Sequence, residues 1–151
     1  MKLKRELING FIIFIGIGLY FLLLELTGLS DEFYLRLLNI FIVAYGVNRT
    51  IRANFEDGVR GYFTHFVSAF ITSTIGAILS IAALLIYIQL NGGEAYLKTL
   101  ADSFLLGGGK VSSYQYCILL LFFESSAGSL SVCYCLMLYW KSKIEVINKV
   151  D

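Results

Sequence analysis

The sequence predicts an all-α, polytopic membrane protein with four transmembrane helices, both termini in the cytoplasm, and a short amphipathic segment on the outer side between helices 3 and 4. Three observations carry this. Of 151 residues, 58% are hydrophobic and only 15% charged, where a soluble domain has about 25% charged residues; so little charge does not cover a surface in water. The apolar residues gather into runs at about 7–29, 33–50, 62–90 and 114–140, near the ~20 residues that cross a hydrocarbon core. Nine of the twelve bases (Lys2, Lys4, Arg5, Arg49, Arg52, Arg60, Lys141, Lys143 and Lys149) fall at one set of run ends. Arg36, Lys98 and Lys110 fall at the other. The positive-inside rule assigns the base-rich side to the cytoplasm, and the chain reads as one domain over 1–151.

The first run follows a basic start, Lys2, Lys4 and Arg5. It is longer than the apolar core of a signal peptide, and no small-x-small cleavage pattern precedes Asp31, so a retained helix is expected. Gly10, Gly16 and Gly18 leave room for a close neighbour. Glu25 lies near its far end, and the tight connection Gly28 to Glu32 sets the second helix antiparallel beside the first. Ser30 or Asp31 suits the N-cap of that helix. The second run holds Arg36 and Asn39 in its first two turns. Arg36 and Glu25 share a depth, and they are expected to pair.

Residues 48–61 read as a polar connection with three arginines. Asn48-Arg49-Thr50 matches the glycosylation acceptor pattern, but on the cytoplasmic side it goes unused. At ~1.5 Å per residue the third run is ~43 Å long, against a hydrocarbon core of ~30 Å, so it tilts or projects. Ser68, Thr72, Gly76 and Ser80 form a small, weakly polar ridge along it. Asn91-Gly92-Gly93 ends this helix. Residues 94–106 then set Leu97, Leu100, Ala101, Phe104 and Leu105 opposite Lys98 and Asp102, as in an interfacial helix. Gly107 to Gly109 forms a hinge into the fourth run. No proline kinks any helix, and Cys117, Cys133 and Cys135, all inside the last run, read as free thiols.

The fourth run, Tyr114 to Trp140, carries Glu124 near its middle amid Ser125, Ser126, Ala127, Gly128, Ser129 and Ser131. A charge at that depth costs ~2.5–3.5 kcal/mol on insertion scales, so this face turns toward protein or water. Counted at ~1.5 Å per residue, Glu124 lies about 13 Å, Asn39 about 9 Å and Arg36 about 5 Å below the outer ends. A buried polar network Glu124–Asn39–Arg36–Glu25 is geometrically feasible. Glu124 is then either a proton or cation site in a small transporter or channel, or a group that fixes helix packing. A lone carboxylate without a second titratable partner at its depth makes a poor relay, which favours packing. The rows Ser125/Ser129/Cys133 and Ala127/Ser131/Cys135 fit close helix contact, within the chain or with a second copy.

No hydrolase, metalloprotease or phosphate-loop pattern is present, and His65 sits far from Ser125 to Ser131, so no enzyme is expected. A single histidine predicts no metal site and places His65 at the interface. The scattered bases predict no nucleic-acid binding, and no cofactor is expected. The expected role is a non-enzymatic structural or accessory membrane subunit that packs with itself or with a partner complex in the bilayer.

The layout, and most closely the piece from Gly58-Val59-Arg60-Gly61-Tyr62-Phe63 through Gly76, resembles a bacterial family of small four-helix inner-membrane proteins of unknown function, most abundant in Bacteroidota. The resemblance covers most of the chain. It implies the cytoplasmic membrane of a bacterium and brings no catalytic residues.

Overall fold

The computed structural model describes residues 3–30, 32–100 and 114–148. Every regular element among them is helical: α1 (Leu3–Leu26), α2 (Phe33–Arg36), α3 (Asn39–Glu56), α4 (Tyr62–Leu90), α5 (Glu94–Leu100) and α6 (Tyr114–Asn148). Three stretches are long and apolar enough to cross a membrane: α1, α4, and Cys117–Glu145 of α6. Leu19, Phe41, Phe63, Ile86 and Phe123 point outward from the helices. Large apolar side chains in that position suit lipid, and with three spanning helices they make this a multi-pass membrane protein.

The second run departs from the single helix expected over 33–50. It is broken between α2 and α3, where Leu38 N–H bonds to Leu35 O, Ile40 N–H to Leu37 O and Phe41 N–H to Leu38 O at 3.0–3.1 Å. These i→i−3 bonds are the tight winding of a 3₁₀ turn, and they fall where Arg36 and Asn39 bring polar side chains into the run. At its other end the helix outlasts the expectation and runs to Glu56. The polar connection expected over 48–61 is therefore mostly helix. The physical reason is that two of its polar residues, Thr50 and Asn54, are fully buried and bond across the bundle, while Arg49, Arg52 and Glu56 on the other face stay exposed. The chain leaves α3 through Asp57 N–H to Ala53 O and turns at Gly58 and Gly61, whose φ angles of 69° and 93° favour glycine.

Contacts bring the start of α1, the end of α3, the start of α4 and the C-terminal part of α6 to one end of the bundle. Arg5 reaches Asn54, Ser68 reaches Glu6, and the Trp140 indole N–H donates to Asn48 Oδ1 at 2.8 Å. Asn48, the residue of the acceptor pattern, thus lies within a helix and is engaged. The core at this end joins Ile13, Val47, Ile51, Ala69, Cys133, Met137, Trp140 and Ile144. The core at the other end joins Ile88, Leu97, Leu100, Cys117, Leu120 and Leu121. Leu97 and Leu100 therefore dock α5 onto the bundle, where an interfacial helix would turn its apolar side to lipid. Residues 101–106, the hinge at 107–109 and Asp31, a suggested cap, lie outside the described residues.

Ile13 explains how α1 comes so close to both α3 and α4. It is fully buried. A Cβ on Gly76 would lie 2.7 Å from Ile13 Cγ2 and 3.1 Å from Gly10 O, and one on Gly46 would collide with the same isoleucine. Small residues facing a large one let backbones approach where no hydrophobic effect drives association. Gly18 has open space around it, so only part of the glycine series in α1 serves this purpose.

Candidate functional site

Two polar centres are present. The first lies around Glu124. Its Oε2 stands 3.4 Å from Arg36 NH2, with the side chains 13% and 26% exposed respectively. The tight turn after α2 leaves Arg36 facing α6 directly, and Asn39 does not bridge the pair; its Oδ1 is buried without a hydrogen-bond partner among the described residues. Glu25 also differs from the expected pairing with Arg36. Its neighbour is Tyr96 of α5, whose hydroxyl pKa rises above the ordinary phenol value through burial and then through the Glu25 carboxylate. A carboxylate deep in a helix is seldom left without a cation or water, and Arg36 serves Glu124 in this way. Glu25 keeps one oxygen, Oε2, buried without a hydrogen-bond partner among the described residues.

The serine rows of α6 divide. Ser129 and Cys133 are buried against α4, with Cys133 Sγ 3.8 Å from Ser73 Oγ. Ser125, Ser126 and Ser129 border a void of about 10 Å³ with Thr74 and Ala77, room for about one water. Ala127 and Ser131, expected to pack within the chain or against a second copy, are both exposed on this chain. Ser131 Oγ turns back to Ala127 O at 2.9 Å, and this row, with exposed Cys135, lies on the outside of the chain. On α4 the ridge faces inward: Ser68, Thr72 and Gly76 are buried, while Ser80 Oγ is buried without a partner among the described residues.

The second centre was not anticipated. At the base-rich end α1, α3 and α4 each contribute polar side chains about one turn apart, Arg5, Glu6 and Asn9, Thr50 and Asn54, and Ser68 and Thr72. Arg5 NH1 donates to Asn54 Oδ1 at 2.7 Å, and its NH2 pairs with Asp57 Oδ2. Asn54 Nδ2 donates to Ser68 Oγ at 2.7 Å, and Ser68 Oγ donates to Glu6 Oε1 at 2.6 Å. From Arg5 NH1 through Asn54 and Ser68 the donors run in one direction to the Glu6 carboxylate, so these three bonds polarise one another. A second chain runs beside it. Asn9 Nδ2 donates to Thr50 Oγ1 at 2.8 Å, and Thr50 lies 3.0 Å from Thr72 Oγ1. Each of these hydroxyls also reaches a carbonyl of its own helix, Thr50 Oγ1 to Gly46 O at 3.3 Å and Thr72 Oγ1 to Ser68 O at 2.9 Å, so the pair ties α3 to α4 within a shared set of acceptors. Glu6 is fully buried, and its Oε2 has no partner among the described residues.

The signal for this network was in the sequence as three polar pairs at helical spacing, all near the same end of the bundle. Two features hid it. Glu6 stands beside Lys4 and Arg5 like a headgroup charge, and Asn54 stands among Arg49, Arg52 and Glu56 like a loop residue. His65, expected at the interface, is also fully buried; its Nε2 donates to Val59 O at 2.9 Å and ties the connection to α4.

A hollow of about 340 Å³ opens beside this network, lined by Lys4, Arg5, Ile8, Asn9, Arg49 and Ala53. Neither this hollow nor the small void is lined by Glu124. Among the described residues no three His, Cys, Asp or Glu side chains are grouped to hold a metal ion. Comparisons with protein families, with curated proteins and with solved structures find no match.

Proposed function

We propose that the chain is a non-enzymatic structural or accessory subunit of a bacterial inner membrane, acting through helix packing with itself or with a partner complex. In this reading α2 and α3 form a fourth span, and both termini face the cytoplasm. The contacts of α3 support that count. It packs against α1, α4 and α6, and α2 and α3 together carry the chain from Phe33 to Glu56, long enough at ~1.5 Å per residue to cross the ~30 Å hydrocarbon core with the arginine-bearing end at the headgroups. The bases gathered at one end of the bundle support the orientation.

One observation carries the choice of a packing role over transport. The Glu124 carboxylate is held against a cation, Arg36, and lines neither the hollow nor the small void. An ion-coupling carboxylate must exchange its proton or cation with water on each side in turn. A carboxylate neutralised by a guanidinium between helices acts instead as a fastener. Purified protein in liposomes is therefore expected to pass protons and sodium no faster than empty liposomes. A flux that the protein supports and Glu124→Gln abolishes would establish the transporter reading in its place.

A further inference from the structure

The hollow at the base-rich end is built unlike the rest of the polar surface. Arg36 pairs with Glu124, and Arg52 with Glu56. Lys4 and Arg49 both line the hollow, both are exposed, and neither has an ion-pair or hydrogen-bond partner among the described residues. Arg5, the third base of the wall, is clamped by Asn54 and Asp57, so its guanidinium is held in place. Two carboxylates stand near. Asp57 is paired with Arg5, and Glu6 is fully buried and receives Ser68. Neither lines the hollow, which therefore keeps an excess of positive charge. Asn9 adds a polar wall, while Ile8 and Ala53 add apolar ones.

We propose that this hollow, formed by Lys4, Arg5, Asn9, Arg49, Ile8 and Ala53, binds a phosphoryl anion. Two free cations and one anchored guanidinium around a single concavity suit the several oxygens of a phosphate. The source is either an anionic lipid headgroup or free phosphate. The apolar walls, at the end of helices fit to cross a bilayer, suit the glycerol region of a lipid; basic pockets between membrane helices recognise such headgroups. Nothing in this assignment depends on the packing role argued above, and it survives if that role fails.

The test measures binding to the full-length protein by native mass spectrometry and thermal shift. Phosphatidylglycerol, phosphatidylcholine and inorganic phosphate are each titrated against the wild type, Lys4→Gln/Arg49→Gln, and Lys141→Gln/Lys143→Gln as a control at the same end. Lys4 and Arg49 are exposed and have no partner among the described residues, so their replacement leaves the helices intact. Each base near a headgroup is worth about 1 kcal/mol, so the pocket variant is expected to bind phosphatidylglycerol roughly thirtyfold more weakly. The control is expected to bind within about twofold of wild type. Binding of inorganic phosphate that is lost only in the pocket variant, without a preference for phosphatidylglycerol over phosphatidylcholine, identifies a soluble anion as the occupant. Equal losses in the pocket and control variants, or no preference for any phosphoryl ligand over phosphatidylcholine, overturn the proposal.

Discussion

Ser68 links two groups that nothing else satisfies in the same way, since it accepts from Asn54 and donates to Glu6. Ser68→Ala strands a buried amide N–H and removes a donor from a buried carboxylate, so a loss of about 1–3 kcal/mol is expected. Ser131→Ala touches only its own helix at the exposed face and should change stability by less than about 0.5 kcal/mol. Unfolding in mixed micelles by a denaturing detergent measures both. Arg36 and Glu124 allow a sharper comparison. Arg36→Met leaves a carboxylate inside the bundle without its cation and should cost about 2 kcal/mol. That is below the loss of a fully buried pair, because Arg36 keeps a quarter of its exposure. Adding Glu124→Met to Arg36→Met is expected to recover most of that loss; a double variant weaker than the single one would contradict the fastener role. At this scale Glu124 was legible because a carboxylate within an apolar run has no bland explanation. Glu6 was not, because a carboxylate next to Lys4 and Arg5 has an obvious one.

Helix bounds follow from where polar groups find partners. α4 occupies Tyr62–Leu90, the stretch marked by hydropathy alone, since its ends are a glycine turn and Asn91-Gly92-Gly93. α3 extends past the hydropathy limit because Thr50 and Asn54 bond across the bundle, which local composition does not reveal. α1 is likewise helical ahead of the hydropathy limit, at Arg5 and Glu6, whose side chains are held by other helices. The break after α2 was illegible for a similar reason: no glycine or proline marks it in the sequence. The close approach of α1 and α4 gives a prediction for the elements. Gly76→Val forces a side chain against Ile13 and the α1 backbone and should destabilise by about 1–3 kcal/mol. Gly18→Val meets open space and should leave the unfolding midpoint within experimental scatter. Equal sensitivity at the two positions would mean that α1 does not lie against α4 in this register.

At the scale of the whole molecule, hydropathy established the membrane class but not the number of spans. Three helices declare themselves by length and apolarity, and α3 enters the bundle through contacts that only folding reveals. Its position between α1, α4 and α6 is the feature on which the four-span account turns. Site-specific labelling of α2 and α3 tests it most directly. Single cysteines replace Leu29, before α2, and Glu56, at the end of α3, in a chain whose Cys117, Cys133 and Cys135 are changed to alanine. A maleimide that does not cross membranes is then applied to right-side-out vesicles. The account predicts that position 29 reacts in intact vesicles and position 56 only after permeabilisation; reaction of both from the same side would contradict it.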